Sequence, residues 1–338
     1  MKLLDCTLRD GGYINNWRFN TEFINSFCKN CNKYDIDYVE IGFINKPSTY
    51  KNNIVGECRN LTKDNIQSFE KYNFKKVVMA DFVSIDLNIL KETPTIIDLV
   101  RIAFHKGDLI AALETCKIVK ELGYKVSVNA MTVTNYTEDE LNYLFTFINE
   151  HNLDILYIAD SYGSLRQKDI KYYLELFNKN LNTAAIGFHL HNNMNNAYSN
   201  YEYLKTLTET ININKEIMVD STMFGMGRGA GNLQTELVLF DQKELEINII
   251  IEMLEFIQEY IKPIYKLNEN QWGYDLDYLL SGYLKMHPNY IIKMRDLNIS
   301  MKNRFLLIKE MICNKVAFNY FDAKVIDDLV IKHKNDIL

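Results

Sequence analysis

The segment GFHLHNN (residues 187–193) sets two imidazoles, His189 and His191, two residues apart. On a strand, residues i and i+2 share a face, so both rings can take neighbouring positions on one metal ion. An isolated H-x-H is as readily a pair of hydrogen-bonded histidines; this one ends an apolar run, where a site is built in many sheets. A metal acting as a Lewis acid with open positions also needs an oxygen ligand. Asp10, in LDCTLRDGG (residues 4–12), is the carboxylate best suited. Two imidazoles with one carboxylate fit Mg2+, Mn2+ or Fe2+ better than a closed structural zinc. Arg9 would add a fixed positive charge beside the metal, able to hold a carboxylate or a developing enolate oxygen. Glu40 is its natural partner.

A second dense segment is DSTMFGMGRGAGN (residues 220–232), which holds four of the fourteen glycines. Ala230 breaks G-x-G-x-x-G, and no Lys-Ser/Thr of a phosphate-binding loop follows. Glycines so spaced make a backbone that approaches something closely. The plain alternative is a flexible turn; the functional reading is a substrate loop, with Arg228 and Asn232 as its polar contributors.

The elements that must position these groups are eight short apolar runs separated by helical stretches. They are residues 2–8, 37–43, 75–82, 95–104, 125–131, 154–160, 184–190 and 215–222. Between them, Thr137 with Glu140 makes a capping box and Gly123 stands where a helix ends. Near-continuous apolar strands alternating with helices require a parallel sheet buried on both faces. Eight units, without a G-x-G-x-x-G after the first, predict a closed (β/α)8 barrel, a TIM barrel, rather than an open sheet. Polar groups stand at or near the run ends: Arg9 and Asp10, Glu40, Asp81, Arg101, Asn129, Asp160, the two histidines and Asp220. Strand C-termini build the active site in such barrels, so Arg101, Asn129 and Asp160 join Arg228 as candidate substrate-binding residues. The rhythm stops near residue 240. A long amphipathic helix, broken at Pro263, and further helical patterns follow to residue 338. The division expected is a catalytic barrel over 1–240 and a helical region over 241–338, packed on it as a lid or oligomer contact.

Composition bounds the rest. A net charge of −6 gives no electrostatic footprint for nucleic acid or an anionic membrane. Six cysteines are too sparse for a disulfide scaffold, and Cys28-x-x-Cys31 lies in an amphipathic helical stretch, where buried thiols are the expectation. No run reaches the length of a membrane span, and the N-terminus lacks an apolar leader, so a cytoplasmic protein is expected.

Taken together and in this order, LDCTLRDGG, VEIGF, GFHLHNN and STMFGMGRGAGN resemble the DRE-TIM metallolyases, the HMGL-like family, over about residues 1–240. The resemblance implies a (β/α)8 barrel and a divalent metal on Asp10, His189 and His191, with Mn2+ or Mg2+ foremost and Zn2+, Fe2+ or Co2+ as alternatives. It places the family's Arg and Glu on Arg9 and Glu40, and matches Asn232 to an Asn near the metal in some members, which makes Asn232 a fourth candidate metal residue. The RDGG and GMGRGAGN forms are most similar to the 4-hydroxy-2-oxovalerate aldolase branch. That branch implies a 2-oxo acid (pyruvate) and an aldehyde as partners, a metal-stabilised enolate, a homo-oligomer and a dehydrogenase partner. In those aldolases a catalytic His follows the motif Asp, whereas this chain has Tyr13. Tyr13 acts in a relay, or another residue takes the proton, or the substrate differs. Tyr278 and His287 are candidates to reach over the barrel mouth. Two other readings stand beside the aldolase: a Claisen-type acyl-CoA/2-oxo acid condensing enzyme, and a non-catalytic barrel serving as an assembly partner.

Overall fold

The structure, a computed structural model, describes residues 1–46, 55–267 and 272–333. Eight parallel strands form a closed barrel: β1 (Lys2–Asp5), β2 (Tyr38–Phe43), β3 (Lys75–Asp81), β4 (Leu99–Phe104), β5 (Lys125–Ala130), β6 (Ile155–Ala159), β7 (Ala185–His189) and β8 (Ile217–Ser221). Each pairs with the next, and β8 closes on β1 with Leu4 opposite Asp220 and Asp5 opposite Ser221. Each of the eight expected runs contains a strand, although the first ends at Asp5 and the fourth begins only at Leu99. The predicted capping box at Thr137 opens helix Glu138–Glu150, and Gly123, at φ +93°, follows the helix Leu109–Glu121.

The period-2 alternation of the strands divides the barrel into an outer and an inner core. Outward residues such as Val39, Ile41, Val100, Ile102, Val126, Val128, Ile186 and Phe188 are buried beneath the helices. A separate cluster of Leu4, Cys6, Tyr38, Val77, Leu99, Ile155, Tyr157, Ala185 and Met218 fills the barrel interior. Two residues further along the strands, the same inward face changes character: Tyr38 leads to Glu40, Leu99 to Arg101 and Met218 to Asp220. Apolar packing thus fills the lower barrel, and ionisable groups begin above it. Gly187 belongs to this layering. A Cβ there would lie 2.4 Å from the Tyr157 ring, so the glycine makes room for its register partner on the adjacent strand β6.

Past β8 the chain forms helix Thr235–Gln242 and then a helical run from Ile247 to Leu267. Pro263 does not break this run, contrary to expectation. A π turn over Ile257–Ile261 precedes it, with the Lys262 amide bonding to the Ile257 carbonyl. In a regular α turn the proline ring would clash with the carbonyl four residues back, and the wider turn relieves that clash. Phe256 packs on Phe23 and Phe27 of helix Thr21–Lys33, with ring centroids 5.9 and 6.3 Å apart. Cys28 and Cys31 are buried in that same helix, as expected of structural thiols. The barrel's outer core therefore continues through Ile261 to Trp272.

Helices Leu276–Tyr283, Asn289–Asp296, Met301–Cys313 and Ala323–Lys332 enclose their own apolar cluster around Met286, Tyr290, Ile291, Met294, Ile308 and Ile326. Ala230 of the Gly-rich segment joins this cluster, tying the helices to the barrel mouth. Asp277 is fully buried at its edge and is held by Arg295 (2.9 Å) and Arg304 (2.6 Å). Among the described residues no helix is long and apolar enough to cross a membrane.

Candidate active site

The segment after β1 turns sharply. The Cys6 carbonyl accepts from the amides of Arg9 (3.0 Å) and Asp10 (2.7 Å), and Thr7–Gly11 forms a single π turn. The Arg9 carbonyl in turn accepts from the Trp17 indole N–H at 2.8 Å. Gly12 is required there, because a Cβ would fall 2.0 Å from the Trp17 ring. The turn directs both Arg9 and Asp10 into the barrel mouth.

Arg9 is fixed from two sides. Its Nε donates to Glu40 at 2.6 Å, and its Nη1 contacts Asp10. Glu40 also faces Arg101 at 3.2 Å, and Arg101 reaches Asp220 at 2.5 Å. Asp220 further accepts from the Tyr157 hydroxyl (2.7 Å) and pairs with His189 Nδ1 (2.9 Å). The result is a buried chain of alternating charge, Asp10–Arg9–Glu40–Arg101–Asp220, that ends on the His189 ring and spans the barrel from β1 to β7. Burial would push the Asp10 carboxyl up, yet Arg9, with His189, His191 and Arg228, holds it well below the usual range. Asp220 is likewise held down, against burial, by Arg101 and its hydrogen bonds. Three buried carboxylates, Asp10, Glu40 and Asp220, stand against two buried guanidiniums, Arg9 and Arg101, leaving one negative charge in a poorly solvated layer.

This arrangement fits a divalent cation. With its Nδ1–H given to Asp220, His189 keeps the Nε2 lone pair free, the relation that orients metal-binding imidazoles. That Nε2 lies 4.0 Å from Asp10 Oδ2. The ligand atoms of Asp10, His189 and His191 all lie within 4.8 Å of one another. Burial, then the neighbouring His189, lowers the His191 pKa to about 3, so its ring is neutral and able to ligate. Asn232 Nδ2 donates to Asp10 Oδ2 at 2.7 Å, and its buried Oδ1 has no partner. A second cluster, Cys6–His189–Asp220, lies beneath. It competes poorly: Asp220 is already saturated, and burial drives the Cys6 thiol pKa well up.

The two motifs are joined by backbone pairing. Only His189 lies within β7; His191 sits beyond its end, bridged to Asn232, and the Asn192 amide donates to the Gly231 carbonyl at 2.8 Å. The two imidazoles are nevertheless adjacent, with ring centroids 4.9 Å apart. Gly227 explains the glycine content of the loop. A Cβ there would lie 2.2 Å from Asn232 Nδ2 and 3.1 Å from Asp10 Oδ2.

Arg9, Asp10, Tyr13, Arg101, Asn129, His189, His191 and Arg228 line one cavity of about 130 Å³ at the C-terminal end of the strands. Glu40 lies beneath Arg9, and Asn232 lies behind Asp10. Arg101 reaches this cavity with its guanidinium committed to Glu40 and Asp220, which makes it a positioning group. Tyr13 carries the Arg228 guanidinium over its ring, 3.9 Å from the centroid. Burial raises the Tyr13 pKa, so it is a neutral phenol at pH 7 and can donate a hydrogen bond, not act as a base. Arg228 Nε is buried without a hydrogen-bond partner, and no carboxylate pairs with this side chain among the described residues.

Two expected residues stand elsewhere. Asp160 turns away from this cavity to accept the amides of Ser164 (2.8 Å) and Leu165 (3.2 Å), and burial raises its pKa to about 7. Tyr278 is buried in the C-terminal cluster beneath Arg295, 4.6 Å from its ring centroid, and does not line the cavity. The cavity also holds His105, Asp81, Ser161, Tyr162, His287 and Asn319. His105 stands one residue past β4, a strand-end signal that the sequence reading passed over.

Comparison with known proteins gives the family. The profile of the HMGL-like family matches residues 1–259. The chain is 23% identical over 301 residues to a 4-hydroxy-2-oxovalerate aldolase of Bacillus cereus, covering 86% of this chain and 84% of that one. The solved N-terminal domain of a candidate aldolase from Bacteroides vulgatus superposes with a TM-score of 0.76 at 27% identity, covering 87% of this chain and 96% of that domain. The HMG-CoA lyase of Bacillus subtilis, at 14% identity, TM-score 0.60 and coverage of 78% and 93%, shares the fold. The profile covers the whole barrel and every motif that builds its mouth, and the chain belongs to the HMGL-like family of lyases and aldolases.

Proposed function

We propose that this protein is a divalent-metal-dependent aldolase that forms or cleaves a 4-hydroxy-2-oxo acid through the enolate of a 2-oxo acid, pyruvate in the simplest case. The observation that carries the reading is the convergence of Asp10, His189 and His191 with a Glu40-oriented Arg9 in one cavity. When bound there, Mn2+ or Mg2+ would supply Lewis acidity toward the oxygens of the 2-oxo acid. Similarity to 4-hydroxy-2-oxovalerate aldolases supports the substrate class.

The chain's own residues divide the remaining work. Arg9, held by Glu40, offers N–H donors where the C2 oxygen gains charge, a preorganised contribution of about 2.7–4 kcal/mol for such a donor. Arg228, without a carboxylate partner of its own, is placed to hold the substrate carboxylate. Tyr13 supports Arg228 through its ring and presents a neutral hydroxyl. In the cleavage direction the 4-hydroxyl gives its proton to water, the C3–C4 bond breaks with its electron pair moving onto the 2-oxo group, and C4 leaves as the aldehyde. The helices after β8 act as a lid, a reading supported by His287, Pro288 and Asn319 in the cavity wall.

The test is solvent deuterium exchange into the methyl group of pyruvate, followed by NMR with Mn2+ present. Exchange that requires metal and is lost in His189→Ala is expected. No exchange, together with metal-dependent release of free CoA from acetyl-CoA and a 2-oxo acid, would replace the aldolase by a condensing enzyme.

A further inference from the structure

His287 precedes helix Asn289–Asp296 in the sequence HPNY, and its backbone is pinned on both sides. Its amide donates to the Phe318 carbonyl at 2.9 Å, and its carbonyl accepts from the Tyr290 amide at 3.1 Å. Its ring packs on Phe321 with centroids 5.9 Å apart and faces the cavity that holds Asp10, His189 and His191. The ring is oriented by one more contact: Nδ1 lies 3.2 Å from the backbone N–H of Asn289. An amide nitrogen can only donate, so Nδ1 must carry its lone pair, and the proton of the neutral ring sits on Nε2. His287 therefore presents an N–H donor. It cannot abstract a proton through Nε2 in this tautomer, and Nδ1 is not open to a metal.

The surroundings keep the ring in that form. Burial first, then the nearby Arg228 and His105 side chains, lower its pKa to about 3. An imidazole kept neutral against a helix N-terminal amide is suited to polarise a carbonyl oxygen. Arg9 and Arg228 already serve a 2-oxo acid in the proposed reading, and they come from the barrel loops. His287 comes from the C-terminal helical region, which supplies the cavity wall together with Pro288 and Asn319.

We propose that His287 is a catalytic hydrogen-bond donor to the aldehyde oxygen, through Nε2–H. The inference rests on the aldolase reading and assigns a residue for its second half-reaction. In the condensing direction the enolate carbon forms a bond to the aldehyde carbon, and the carbonyl π pair moves to oxygen. His287 donates a hydrogen bond to that oxygen as charge develops, and water supplies the proton that completes the hydroxyl. Enolisation of pyruvate alone needs no such donor.

The two halves of the reaction therefore separate in the test. His287→Phe keeps an aromatic ring against Phe321 and removes the donor; His287→Gln restores an N–H. Each variant is assayed in the Mn2+-loaded protein for pyruvate methyl exchange and for pyruvate release from a panel of 4-hydroxy-2-oxo acids. His287→Phe is expected to hold exchange within about threefold and to cut cleavage about 10²–10³-fold, with roughly tenfold regained in His287→Gln. Equal losses in both assays, or unchanged cleavage, would overturn the assignment and leave the aldolase intact. Absence of exchange in the unmodified protein would refute the aldolase reading itself and the assignment with it. Exchange without cleavage of any panel member would leave no aldehyde oxygen for His287 and would overturn the assignment. Independently of turnover, 15N NMR of the histidine rings at pH 7 should show His287 protonated on Nε2; a proton on Nδ1 would contradict the proposal.

Discussion

Replacing Asp220 by Asn tests the buried charge chain at its most connected member. The carboxylate receives Arg101 at 2.5 Å, Tyr157 at 2.7 Å and His189 Nδ1 at 2.9 Å, and it is 1% exposed. An amide of the same shape keeps the volume and loses the charge. Among carboxylates, Arg101 is then left with Glu40, at 3.2 Å, while fully buried. Removing one partner of a buried ion pair costs about 3–5 kcal/mol, and that range is the expected loss in unfolding free energy. The amide also has one acceptor oxygen for the three donors Arg101, Tyr157 and His189, so the contact that fixes the His189 tautomer is weakened. Outer partners of metal-bound histidines typically account for roughly 10–100-fold in affinity, so Mn2+ should bind that much more weakly. Tyr157→Phe is the control: it removes one hydrogen bond to the same carboxylate, worth about 2 kcal/mol, and leaves His189 oriented. Urea unfolding reports the stability and isothermal titration with Mn2+ the affinity. Asp220→Asn that is destabilised but binds Mn2+ as tightly as the parent would refute the claim that Asp220 sets His189 for the metal.

Three further perturbations bear on separate links. Gly227→Ala sets a Cβ against Asn232 and Asp10; it should weaken Mn2+ binding at least tenfold while costing about 1–3 kcal/mol in urea unfolding, as overpacking does. Arg228→Met removes the unpartnered cation and should raise the KM for pyruvate in the exchange assay by about tenfold or more, the value of one charge-assisted contact. An unchanged KM would move the carboxylate site elsewhere. Asp160 has its folded pKa raised to about 7 from 3.8 by burial. Its contribution is therefore full below about pH 4 and is lost as pH rises through 7. Asp160→Asn, which can still accept both loop amides, should match or exceed the parent in urea at pH 8 and lose that advantage at pH 5. Parallel behaviour at both pH values would contradict it.

The barrel was readable because its evidence is periodic. Eight apolar runs at barrel spacing needed only local pattern, and each contains a strand. The residues proposed to hold the metal were readable because their types are rare and chemically narrow: H-x-H and an Asp beside an Arg at strand ends. Long-range packing set the limits. Nothing local in GFHLH shows that Gly187 yields to Tyr157 from the adjacent strand, or that β7 stops at His189 and leaves His191 to a bridge with Asn232. Pro263 read as a break because a π turn has no strong sequence mark. Tyr278 and His287 were equally plausible by type. Only the packing of the C-terminal helices buries the first under Arg295 and puts the second in the cavity wall. Asp160 looked like its neighbours at the strand ends, and its loop amides claimed it.

Asp10, His189 and His191 are proposed to hold one divalent cation at the barrel mouth. Titration with Mn2+, followed by electron paramagnetic resonance of the free ion, tests it without reference to any substrate. The parent should bind one Mn2+ per chain, and Asp10→Asn, His189→Ala and His191→Ala should each weaken binding by about 100-fold or more while remaining folded by circular dichroism. Equal binding by the parent and all three folded variants, or no binding by the parent, would contradict the account.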